Sequence, residues 1–434
     1  MATLVETSVD DADFAARMDA EDPLQGFRSQ FHMPKEHGKQ MIYLCGHSLG
    51  LQPVKTREYI GIELDEWANR GVEGHFHPEC KRPWAAIDKF TRPLMAELVG
   101  ATTEEVAVMN GLTPNLHLMM VSFYRPTATR YKILTEKSAF PSDQYAVQSQ
   151  IRFHGREPAD ALVELSPRDG ETFLHDEDIL AVIAEHGPTI ALVMLPGVQY
   201  LTGQFFDIPK ITRAARAQGC AVGWDCAHAV GNVVLDLHDS DADFAVWCSY
   251  KYCNSGPGGI AGAFVHERHA KDATIPRFSG WWGHNSETRF KMPDEFDPEP
   301  GAQGWALNNP PVFQCVSLIA SLELFHEATL PRLREKSEKL TGYLERLLNA
   351  ALPENLIILT PTDKTRRGCM LTMRFRGVDL KAVFHLLAKK GVICDVREPD
   401  IMRVAPCPLY NSFTDVHSFV LRLREAVREL SSKI

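Results

Sequence analysis

Residues 220–265 read CAVGWDCAHAVGNVVLDLHDSDADFAVWCSYKYCNSGPGGIAGAFV. Three apolar runs stand in this stretch, Cys220–Asp225, Phe244–Cys248 and Ile260–Val265. Each is short and almost wholly apolar, the pattern of a strand buried on both faces. Upstream, Glu105–Met109, Arg130–Leu134 and Ile190–Leu195 repeat it. Helical spacing falls between them, at Asn115–Phe123 and at Ile208–Gln218, which Gly219 closes as a residue free to turn left-handed. This alternation predicts an α/β fold with a mainly parallel sheet flanked by helices.

Outside that region the rhythm changes. Residues 11–19 and Val54–Asn69 carry helix spacing, and CGHSLGLQP (45–53) reads as a loop. Val316–Phe325 and Leu333–Leu348 read as long amphipathic helices. Short strands and helices follow at Leu356–Leu359, Met370–Phe375, Asp379–Lys390, Val392–Val396 and Thr414–Leu430. We expect an arm over residues 1–60 packing with a small C-terminal α/β domain at 316–434, and a large cofactor-binding domain at 61–315.

Composition bounds the function. The chain has 434 residues, 44% hydrophobic and 24% charged, as ordinary globular proteins do. Its net charge of -10 argues against nucleic acid as a partner. No apolar run approaches the ~20 residues of a membrane span. The N-terminal segment MATLVETSVDDADFAARMD is acidic, unlike a secretory or transit peptide, so a cytoplasmic location is expected. The ten cysteines form no compact framework and read as free thiols.

Two side chains carry the chemical argument. Lys251 ends an apolar strand before a glycine-rich turn, and lysine is almost never buried without a purpose. An amine in such a setting forms Schiff bases. Asp225 ends the preceding strand, where open α/β sheets bind ligands, with His228 close behind. By itself Asp225 could as well cap a turn. Together, a lysine and a carboxylate on adjacent strand ends suit pyridoxal phosphate: one holds the aldehyde, the other keeps the pyridine nitrogen protonated. In MNGLTPNLHL (109–118), Thr113 is placed to cap a helix with Pro114 in its first turn, and the helix N-terminus offers N–H groups to a phosphate. AFPSDQYA (139–146) adds Phe140, Ser142 and Asp143.

The chain resembles the kynureninases, a family of fold-type I pyridoxal-phosphate enzymes. The strings LTPNLH, FPSDQYA, DCAHAVG, SYKYCNSGPGGIAGAF, WWGH, RFKM, NNPP and RVAPCPLYNSF carry the resemblance, from about residue 40 to 425. It implies hydrolysis of L-kynurenine or 3-hydroxy-L-kynurenine to L-alanine and anthranilate or 3-hydroxyanthranilate. It further implies a role in tryptophan degradation and NAD biosynthesis, and a homodimer whose subunits share their sites. Lys251 is then the catalytic lysine. Leu112, Thr113, Phe140, Pro141, Ser142, Asp143, Pro196, Asp225, His228, Tyr250, Trp281 and Asn309 surround the cofactor. Arg403 binds the substrate α-carboxylate, and His77 with Asn309 meets the aromatic ring. Pro196 and Asn308 depart from residues found in relatives.

Other readings are weaker. HFHPEC (75–80) supplies His75, His77 and Cys80 but no fourth ligand at a zinc-like spacing, so no metal is expected. No G-x-G-x-x-G follows an early strand, which argues against a nicotinamide enzyme. The rival is a cysteine desulfurase or selenocysteine lyase, which needs a nucleophilic thiol in a late loop; Cys369 and Cys407 are the candidates.

Overall fold

The computed structural model describes residues 12–272 and 274–431. The first eleven residues of the expected arm lie outside them. A seven-stranded sheet is built from β1 (Val106–Val108), β2 (Lys132–Glu136), β3 (Leu162–Leu165), β4 (Ile190–Pro196), β5 (Ala221–Asp225), β6 (Phe244–Trp247) and β7 (Gly262–Val265). Its order is β1-β7-β6-β5-β4-β2-β3. All pairings are parallel except those of β7, which runs antiparallel to both β6 and β1. The fold is the expected mainly parallel α/β sheet.

The strands are apolar because both faces are covered. Along β4, Val193 and Leu195 enter one hydrophobic cluster, while Leu192 and Met194 enter another across the sheet. That alternation is the period-two geometry of a strand. Helix Val312–Ala328 belongs to the first cluster through Cys315, Val316, Leu318 and Ile319. A separate cluster joins Phe14, Ala15, Ile42 and Leu44 to residues from Leu340 to Val427. The two clusters therefore part within helix Leu330–Ala351, downstream of 316, because Val312–Ala328 is apolar around its circumference and buries against the large sheet's helices.

The small sheet is antiparallel, in the order β8 (Leu356–Ile358), β9 (Leu371–Phe375), β11 (Ile401–Val404) and β10 (Asp395–Arg397). The strand expected at Val392–Val396 is split. Val392–Ile393 pairs in parallel with Ile42–Tyr43, and only Asp395–Arg397 joins the sheet. Helix Ala12–Ala20 packs on helix Phe413–Ser431, whose first N–H groups, from Phe413 and Thr414, are accepted by the Asp19 carboxylate at 2.6 and 3.0 Å.

Several elements escape the pattern. Helix Asp88–Val99 contains Pro93, which reads as a breaker. Helices Pro141–Phe153 and Asp176–His186 and strands β3 and β11 are the others.

Gly223 on β5 faces Phe244 on β6, and an added Cβ would lie 2.0 Å from the ring. Gly223→Ala should therefore destabilise the protein by roughly 1–3 kcal/mol through overpacking. A denaturation midpoint equal to that of the parent protein would contradict this.

Candidate active site

In a parallel sheet the carboxyl ends of the strands share one edge, and this edge holds the site. A cavity of about 240 Å³ opens there. Leu112, Thr113, Phe140, Ser142, Asp143, Pro196, Asp225, His228, Tyr250 and Lys251 line it. The sequence expectation is thus gathered from five separate strand ends.

Two helices begin at the cavity. Gly111, in an extended conformation, precedes helix Leu112–Phe123, and Phe140 precedes helix Pro141–Phe153. Thr113 is therefore not the cap; it sits second in its helix and its side chain caps no N–H. Its hydroxyl instead meets the Ser142 hydroxyl at 2.5 Å. Two positive helix ends and two hydroxyls converge, which is an arrangement for an anion.

The opposite quality appears beside Asp225. Its Oδ1 accepts the Ala227 N–H at 2.7 Å, so it does cap its turn, as one reading allowed. Asp143 and Glu136 stand close by. Burial, then the Asp225 charge, pushes the Asp143 carboxyl well up. Burial also raises Asp225, but the Asp143 carboxyl, the Ala227 N–H and Lys251 all favour its charged form, so Asp225 is the more acidic of the pair and Asp143 keeps the proton. Burial raises Glu136 to about 8. Gln199 Nε2 donates to Glu136 Oε1 at 3.2 Å, while the Gln199 carbonyl is held by the N–H groups of Leu201 and Thr202. Lys251, half-buried, is the cation that faces these acids, with Nζ 5.7 Å from the centre of the Phe140 ring. The Asp143 Oδ1 and His228 Nδ1 atoms are buried without hydrogen-bond partners. Burial and the nearby cations push His228 well down, so its ring is neutral.

Arg403 projects from β11 towards the same region. Its Nε donates to Asp395 at 2.8 Å and its Nη1 to the Tyr200 carbonyl at 2.7 Å. Tyr200 lines the cavity and sets its ring edge-on to Phe140 at 5.2 Å. The arginine is thereby fixed by two elements before any ligand arrives.

Pro141 opens its helix without lining the cavity. His77, Trp281, Asn308 and Asn309 also lie outside the lining within one chain. The His77 ring contacts Arg70 at 3.2 Å, and Trp281 donates to the Arg289 carbonyl at 3.1 Å. Cys80 donates its thiol to Glu66 rather than joining His75 and His77. Cys369 and Cys407 are buried, and their N–H groups are held by Asn232 and Asn411. Neither stands on an exposed loop. Glu136, Val198, Tyr200 and Cys248 line the cavity but were not singled out from sequence. Glu136 had one weak signal, a charged residue two positions after the run Arg130–Leu134 that predicts β2.

The Glu136 carboxyl gives a measurable pH effect. Between the ordinary carboxyl range and about 8 the folded apoprotein holds a proton that the unfolded chain has released, so stability falls as pH rises through that window. Glu136→Gln keeps the acceptor for Gln199 and removes the titration. It should stabilise the apoprotein by roughly 2–4 kcal/mol at pH 8 and far less at pH 5. Parallel stability-versus-pH curves for the two proteins would rule this out.

Comparison with known proteins places the fold and the sequence together. Residues 333–423 match the family profile described as Kynureninase C-terminal domain. A kynureninase of Myxococcus xanthus is 56% identical over 97% of this chain and 98% of its own length. One of Nematostella vectensis is 50% identical over 96% and 94%. Among solved structures, a cysteine desulfurase of Escherichia coli superposes with a TM-score of 0.75 over 94% of this chain and 99% of its own, at 19% identity. A mutant of the C-DES enzyme with glycine covalently linked to its PLP cofactor gives 0.74 over 89% and 96%, at 17% identity. These distant likenesses show a shared fold, whereas the full-length relatives at half identity or more show that the chain belongs to the kynureninase family.

Proposed function

We propose that this chain binds pyridoxal 5'-phosphate in the cavity and hydrolyses the Cβ–Cγ bond of L-kynurenine and 3-hydroxy-L-kynurenine. Water is consumed, and L-alanine leaves with anthranilate or 3-hydroxyanthranilate. The observation that carries this reading is the match to relatives named kynureninase from end to end of the chain. In the cell the reaction serves tryptophan degradation and NAD biosynthesis. Among the described residues no helix is long and apolar enough to cross a membrane. The acidic N-terminal segment supports a cytoplasmic location.

The residues present fit the cofactor. Paired helix starts with Thr113 and Ser142 suit its phosphate, and among the described residues Lys251 is the cation that acts on the buried Asp225. When bound, pyridoxal phosphate supplies a carbonyl for amines and a ring that accepts electrons. Lys251 would hold the cofactor through Nζ and would move a proton at the substrate Cα. Asp225 would pair with the ring nitrogen, supported by protonated Asp143. Phe140 would pack on the ring, with Pro141 fixing the start of its helix, and His228 would stand near Asp225. Leu112 N–H and the Tyr250 phenol complete the phosphate contacts, and Pro196 can offer only its backbone. Arg403 grips the α-carboxylate with its fork.

A shared homodimer site accommodates the remaining residues. Phe76, Trp281 and Phe290 form an exposed aromatic patch, with Phe290 5.2 Å from Phe76 and 5.4 Å from Trp281. Such a patch marks an interaction surface, and His77 lies next to it in sequence. A second copy docked there brings His77, Trp281 and Asn309 to its neighbour's cavity.

Lys251→Ala should abolish anthranilate release from L-kynurenine, followed by product fluorescence. Arg403→Ala should raise KM roughly 10–100-fold, as loss of a charge-assisted pair does. Turnover at the parent rate in the first variant, or an unchanged KM in the second, would sink these roles.

His77 and Asn309 both offer hydrogen bonds to an aromatic hydroxyl, and a site built for a hydroxyl discriminates against its absence. The parent enzyme should show higher kcat/KM for 3-hydroxykynurenine than for kynurenine. His77→Trp with Asn309→Thr should shift that ratio towards kynurenine; an unaltered ratio refutes the assignment.

A further inference from the structure

The loop CGHSLGLQP (45–53) has no part in the site described so far. It is wedged between the two halves of that site. Gly46 abuts the segment after Arg403: a Cβ there would lie 2.2 Å from the Tyr410 hydroxyl and 2.4 Å from Cys407 Sγ. Gly50 abuts the lysine turn: its Cβ would lie 2.3 Å from the Lys251 carbonyl oxygen. The Gly50 N–H donates to the Tyr250 carbonyl at 2.8 Å, and the Ala405 N–H to the Leu44 carbonyl at 2.9 Å. His47 is carried between these two anchors.

The His47 ring is 1% exposed, and neither Nδ1 nor Nε2 has a hydrogen-bond partner. A neutral imidazole always has one N–H to give and one lone pair to fill, and leaving either unmet in the interior is costly. Asp395 stands 3.9 Å from Nε2 and attracts the ring electrostatically, but at that length the contact is too long to satisfy an N–H. That same oxygen already accepts Arg403 Nε. Arg403 gives one Nη1 N–H to Tyr200, which leaves the second Nη1 N–H and both Nη2 N–H groups for a ligand. The groups facing His47 are Asp395, Arg403 and Lys251; burial first, then the two cations, pushes its ring down to about 4 against the pull of Asp395, so it donates as a neutral group.

An anion lying between Arg403 and His47 satisfies both. We infer that His47 is a second binding residue for the substrate α-carboxylate, donating a ring N–H beside the Arg403 fork. The inference rests on the function proposed above and adds a residue to its specificity for α-amino acids. It also gives the glycine-flanked loop a task, which is to deliver a donor that neither domain supplies.

The test uses the cofactor-loaded enzyme and two amines, L-alanine and ethylamine, which differ in the carboxylate. In His47→Leu, calorimetric affinity for L-alanine should fall about tenfold while that for ethylamine stays unchanged. KM for L-kynurenine should rise by a similar factor with kcat within about threefold. His47→Asn, which keeps a side-chain N–H, should recover most of both losses. Equal weakening of the two amines, or no recovery in His47→Asn, would overturn the proposal. Should His47→Leu fail to fold, ¹⁵N-histidine spectra of the unmutated holoenzyme decide. L-alanine, and not ethylamine, should shift the imidazole resonance that is absent from His47→Asn, and no shift counts against the role. If the unmutated enzyme releases no anthranilate from kynurenine, the hydrolase reading fails on its own, because alanine binding needs no turnover.

Discussion

Asp225 and Lys251 leave neighbouring parallel strands at one edge of the sheet, and the buried charge of Asp225 sets the character of everything around it. A carboxylate in this setting is costly without a positive partner. Asp143 answers by keeping its proton, and Lys251 by facing the pair. Beyond Tyr200 the charge is opposite in sign, with Arg403 near a neutral His47 that burial, more than the nearby cations, pushes down. The result is a pocket polarised along its length. A molecule with a cationic ring nitrogen at one end and a carboxylate at the other matches that field at both ends.

The centre of the fold is legible because parallel strands are buried on both faces and so write themselves as unbroken apolar runs. β4, β5 and β6 lie within one residue of their expected ends: β4 gains Pro196, β5 loses Cys220 and β6 loses Cys248. β11 was missed although it carries Arg403. It is four residues long, and its arginine looks like an interruption until the side chain is seen reaching across to Asp395 and Tyr200. Helix Asp88–Val99 was hidden by Pro93, and helix Pro141–Phe153 by a polar composition that buries only one stripe.

The site divides in the same way. Residues attached to strong local signals, such as Lys251, Asp225 and the Phe140–Asp143 turn, could be found from the chain alone. Glu136 and His47 could not, because their importance comes from what is missing around them. Glu136 lacks a cation of its own, and the His47 ring nitrogens lack partners. Such absences are properties of packing, and no spacing rule encodes them.

The parallel pairing of Ile42–Tyr43 with Val392–Ile393 has a consequence for how the chain comes into being. The first of these strands is made early in synthesis and the second near its end. Domains generally fold as units while the chain emerges, and contacts between distant segments form late. The large sheet can close once β7 has left the ribosome, but the arm must wait, with its strand edge open, for some 350 residues to follow. The loop carrying His47 sits directly after that strand. Lys251 is therefore in place before the arm whose Gly50 packs on its turn, and the order of assembly puts that contact last.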